Sequence, residues 1–65
     1  MKNEWVIVYS TSDVFQAEVI KQMLLSNSID AISMNQKDSS YHFGSVNIYT
    51  KEKDMKKAKE IISKW

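Results

Sequence analysis

The chain has 65 residues, nine of them Lys, eight acidic and one His, for a formal net charge of +1, with no Cys, no Pro and a single Gly. No disulfide is possible, no Cys/His cluster offers a structural zinc, and the forked guanidinium of Arg, which reads phosphate and base edges, is missing altogether. A domain this small buries only about 60% of its unfolded surface, so oligomerisation is the ordinary remaining source of stability, and the composition leans toward it.

The first strand is expected over residues 4–10. Trp5-Val6-Ile7-Val8-Tyr9 is β-branched, aromatic and apolar on both faces, as in a strand covered on two sides. Ser10-Thr11-Ser12 breaks it. Asp13 followed by Gln16 reads as a capping box, the carboxylate taking the first orphan N–H groups and the amide reaching back. A helix over 13–26 follows. At about 100° per residue, Ala17, Ile20 and Leu24 share one side, and Phe15, Val19 and Met23 form a second stripe beside it. Glu18, Lys21 and Gln22 take the opposite side. The apolar arc is wider than one core contact requires. Either a small domain wraps its helix deeply, or the Phe15–Val19–Met23 stripe faces a partner.

Asn27-Ser28 ends the helix, Asn being tolerant of the left-handed conformation. The second strand is expected over 29–35, a polar loop with the only Gly over 36–44, and an alternating third strand over 45–50. A second helix over 52–64 carries Met55, Ala58, Ile61, Ile62 and Trp65 on one stripe. Glu52 and Asp54 suit its positive end, Lys64 its negative end, and Glu52–Lys56 and Glu60–Lys64 are favourable pairs four apart. From Lys51 onward six Lys face three acids, a local +3 that leaves −2 for the rest. With the acids interspersed, this reads as a solvated helix face rather than a basic patch.

The order βαββα in one domain implies an α+β fold. A right-handed strand–helix–strand crossover makes the first two strands parallel. If the third inserts between them, the order becomes 1-3-2, a ferredoxin-like plait lacking its fourth strand, with both helices on one face. Val46 and Ile48 then point to the helices, as do Val6 and Val8. Trp5, Ile7 and Tyr9 go to the open face with Tyr49, joined by Ile32 and Met34. The first strand is also an unpaired edge with no Pro or Lys inside it, and such edges invite another chain. An exposed apolar patch and a bare edge together point to a homo-oligomer, a dimer first, through Trp5, Ile7, Tyr9 and Tyr49, with Phe15 and Met23 added from the helix.

Chain-wide chemistry is thin. His42 lies in the loop with Lys37, Asp38 and Tyr41, which makes a small-molecule contact conceivable there. One His and one carboxylate fall below a metal's usual ligand count. There is no nucleophile elbow, phosphate loop or dinucleotide fingerprint, so neither an enzyme nor a cofactor is expected. Single-stranded RNA on the Trp5, Tyr9 and Tyr49 rings is the sharper alternative, opposed by the missing Arg and the near-neutral charge. No apolar run approaches the ~20 residues of a membrane span, and the Met1-Lys2 start lacks a signal-peptide core. A cytoplasmic protein is the default expectation.

The polar turn and acid at Ser12-Asp13, Ala17-Glu18 with Leu24, Ile29 and Ala31, Asn35, and Val46-Asn47-Ile48 form a pattern. Glu52, Asp54 and Ala58-Lys59-Glu60-Ile61 complete it. From Val6 to Ile62 this resembles the small bacterial family of putative prokaryotic signal-transducing proteins. Val14 and Lys51 stand where that family favours Pro, and Ser28 where Gly precedes the Ile. The resemblance implies an α/β plait similar to PII-like signalling proteins, with no assigned reaction or ligand and therefore no catalytic residue to carry over.

Overall fold

A computed structural model describes residues 4–37 and 44–65. The elements are β1 (Trp5–Thr11), α1 (Val14–Ser26), β2 (Ala31–Lys37), β3 (Gly44–Lys51), a 3₁₀ turn (Glu52–Asp54) and α2 (Met55–Ser63). The sheet has three strands in the order β1-β3-β2, with β3 antiparallel to both neighbours. The domain is thus the α+β plait expected from the periodicities. The loop is shorter than expected, because Gln36 pairs with Ser45 and Lys37 with Gly44. Antiparallel pairing extends the β2–β3 ladder over two residues at the start of the expected loop and one at its end.

One layer of helix covers one face. Ala17, Ile20 and Leu24 of α1 and Ala58 of α2 bury against Ala31, Val46 and Ile48, with Ile29 completing the cluster. Val8, Tyr9, Ile61 and Ile62 pack around its margin. Burying a side chain the size of Ile20 or Leu24 is worth about 1.5–3 kcal/mol, so this single small cluster supplies most of the drive to fold. The Ala residues matter for another reason. Without bulk at Ala17 and Ala58, both of which are buried, the helix backbones come close to the sheet.

Local signals set the helix ends. The Asp13 carboxylate accepts from the N–H groups of Phe15 (3.0 Å) and Gln16 (3.3 Å), which is the expected cap. The reciprocal half of the capping box does not form. The Asp13 N–H donates to Thr11 Oγ1 (3.1 Å), and the Thr11 hydroxyl donates to Gln16 Oε1 (2.7 Å). Thr11 stands between the two partners because β1 runs one residue further than the alternation suggested.

At the other end of α1, the Ser28 N–H donates to the Leu25 carbonyl and the Ile29 N–H to the Leu24 carbonyl, each at 3.0 Å. That pair is a Schellman motif, with buried Leu24 and Ile29 as its apolar clasp. The left-handed residue is Ser28, with φ 64°, and not Asn27, whose φ is −99°. Helix α2 begins with a tighter turn than expected, Glu52–Asp54 being 3₁₀. The Glu52 N–H donates to the Glu4 carbonyl at 2.8 Å, tying the start of β1 to the end of β3.

Candidate interaction surface

The face of the sheet away from the helices is built in cross-strand rows. Trp5 of β1 lies opposite Lys51 of β3. In the next row Ile7 lies opposite Tyr49, which in turn lies opposite Ile32 of β2. In the third, Ser10 lies opposite Asn47, and Asn47 opposite Met34. Trp5 is 41% exposed, Ile7 47%, Ile32 39% and Met34 53%. Half-buried Tyr49 is central, between Ile7 and Ile32. These side chains make one contiguous apolar surface on a small domain, the kind of patch that marks an interaction site.

Polar groups frame it. The Ser10 hydroxyl donates to Asn47 Oδ1 at 2.7 Å, which satisfies a buried amide in the central strand. The Lys51 ammonium lies 5.8 Å from the centre of the Trp5 ring and 3.8 Å from the Asp30 carboxylate. These contacts are partly exposed and individually weak. Together they hold the indole in place and leave the surface near charge balance.

Tyr9 does not belong to this surface. The β1–β3 register shifts between Ile7 and Tyr9, so that Ile7 faces Tyr49 while Tyr9 faces buried Ile48. Tyr9 therefore packs against the core. An inserted residue resets the two-residue alternation of a strand, which corrects the expectation that Trp5, Ile7 and Tyr9 share a face. An RNA-stacking platform loses one of its three rings by the same shift. Val6, opposite Thr50, and Val8, packed on the core, do lie on the helix side.

The second stripe on α1 divides. Phe15 is 78% exposed, whereas Val19 and Met23 are half-buried. Phe15 and Met23 lie on α1 and not on the open sheet face. Glu18 is on the outer side of the helix, with Lys21 3.1 Å away and Gln22 donating to it at 3.3 Å. Hydrogen bonding from Lys21, then from Gln22, holds its carboxyl below the usual range. Of the loop residues, Asp38, Tyr41 and His42 lie outside the described residues, and Lys37 is the last residue of β2.

No group of three His, Cys, Asp or Glu suited to a metal ion occurs among the described residues, and none of their helices is long and apolar enough to cross a membrane. The arrangement defines a class: a small α+β plait with two helices on one side of a three-stranded sheet and an apolar surface on the other. The chain belongs to the family described as putative prokaryotic signal transducing protein, whose model matches residues 5–65. No curated protein and no solved structure matches it.

Proposed function

We propose that the protein is a non-enzymatic interaction module of a signalling system, and that it self-associates through the open face of its sheet. The observation that carries this reading is the row arrangement of Trp5, Ile7, Tyr49, Ile32 and Met34, which gathers the largest exposed apolar side chains of the sheet on one side. A second copy is the partner that fits. The surface has charge balance at its one charged row, through Lys51 and Asp30, so placing it against itself sets few like charges together. The family description supplies the signalling context.

Light scattering of the wild-type chain and of Ile7→Glu tests the reading. Ile7 is exposed within the protomer, so a carboxylate there leaves the fold intact while setting charge against charge in the assembly. The wild type is expected to exceed the 7.6 kDa of one chain, and the variant to lose the face contact. Equal masses for the two at micromolar concentration contradict the proposal.

A further inference from the structure

We infer that the free edge of β2 pairs with the β2 edge of another copy about a twofold axis at Ser33, joining two sheets into one of six strands. The inference rests on the self-association reading, which supplies the second copy, and adds a contact distinct from the sheet face.

Among the described residues both outer strands, β1 and β2, present an unpaired row of backbone N–H and C=O groups, which is a template for another strand. The two edges differ. Strand β1 is bulged between Ile7 and Tyr9, and a bulge twists an edge out of the flat geometry that pairing requires. Strand β2 keeps an unbroken register with β3 from Ala31↔Thr50 to Lys37↔Gly44. It has no Pro, and no charged residue lies between Asp30 and Lys37. The guarded edge is therefore β1 and the open one β2, the reverse of what the sequence alone suggests.

The register follows from the faces. A twofold perpendicular to the sheet makes the strands antiparallel and keeps both helix layers on the same side. Residues of the same face must then meet, so the axis passes through a residue. With Ser33 on the axis, Ile32 meets Met34 of the second copy, two exposed apolar side chains of the open face, and Ala31 meets Asn35. Moving the axis to Met34 would set Ile32 against Gln36 and Ala31 against Lys37. The Ser33 register is the self-complementary one.

Area also favours a second contact. Three strands about 4.8 Å apart and seven residues long at about 3.3 Å each give a flat face of roughly 300 Å². A standard interface buries about 800 Å² per partner, so the face alone is small. The face axis lies in the plane of the sheet and the edge axis stands perpendicular to it. Chains using both contacts close into a particle of four where the two axes intersect, and extend into an open array where they do not.

Ser33→Cys provides the test, because the chain has no other thiol. Opposed residues of an antiparallel pair have Cα atoms about 4.5–5.5 Å apart, within disulfide reach. Mild oxidation is expected to convert Ser33→Cys to a covalent pair on a non-reducing gel, both alone and combined with Ile7→Glu. Ser10→Cys, on β1 and on the open face, is expected to remain single once Ile7→Glu has removed the face contact. In the wild type, hydrogen exchange of β2 amides should slow as concentration rises. An unlinked Ser33→Cys chain, or β2 exchange independent of concentration, overturns the edge contact where light scattering still shows a face-dependent pair. A single-chain mass at every concentration overturns both readings.

Discussion

Two residues adopt conformations or environments that their side chains do not favour, and each gives a measurable consequence. Ser28 holds φ at 64° in the helix-ending motif, a region that costs a residue with a Cβ about 1–2 kcal/mol. Gly has no such cost, although it loses more freedom on folding. Ser28→Gly is expected to stabilise the protein by about 0.5–1 kcal/mol, seen as a melting temperature higher by roughly 3–8 °C. The sequence resemblance had already marked this position as one where Gly is usual. The physical reason is visible only in the torsion angle.

Thr50 is fully buried, and its hydroxyl has no hydrogen-bond partner among the described residues. It lies between Val6 and Ala31 on the helix side of the sheet. A buried hydroxyl left unpaired costs about 1–3 kcal/mol, whereas Val has the same branching and nearly the same volume. Thr50→Val should therefore raise stability by about 1 kcal/mol in denaturant titration, with an unchanged slope. A loss of stability would mean that the hydroxyl has a partner after all.

At the scale of elements, the helices were legible and the strands only partly so. A helix announces itself by a spacing of three and four, and α1 and α2 fall where Ala17–Ile20–Leu24 and Ala58–Ile61–Ile62 place them. A strand announces its faces only by alternation, and one inserted residue reverses every later position. Nothing in Trp5-Val6-Ile7-Val8-Tyr9, apolar throughout, could reveal the bulge that sends Tyr9 to the core. The cap of α1 shows the same limit. Asp13 was readable as an N-cap, but the partner of Gln16 depended on where β1 ends. Asp13→Ala is expected to cost about 1 kcal/mol in chemical denaturation, and Gln16→Ala less, since Gln16 accepts from the Thr11 hydroxyl while the Asp13 N–H donates to Thr11 instead. Equal losses would indicate a complete capping box.

Helix α1 also carries a pH-dependent contribution. Hydrogen bonds from Lys21 and Gln22 lower the Glu18 pKa in the folded chain below its ordinary value of 4.5. The unfolded chain then binds the proton more readily, so the stabilisation is complete above pH about 4.5 and fades as the pH falls through the lowered folded value. Glu18 is exposed, and the effect is small. Glu18→Gln is expected to flatten the slope of stability with pH below that point while leaving stability at neutrality little altered. Thermal melts across an acid series check it.

For the whole molecule, the topology followed from element order and handedness, since two helices of this length cover one side of a three-stranded sheet. The bare reverse side was legible for the same reason. Its composition was not, because it depends on register: Ile7, Tyr49 and Ile32 meet only through the β1–β3 and β3–β2 pairing. Which edge is open was likewise invisible until the bulge placed the irregularity in β1.

The most direct measurement is the sedimentation equilibrium of the wild-type chain from low to high micromolar concentration. An apolar sheet face covered by a copy of itself predicts a particle heavier than one 7.6 kDa chain, whose mass falls on dilution. A constant single-chain mass across that range would contradict it.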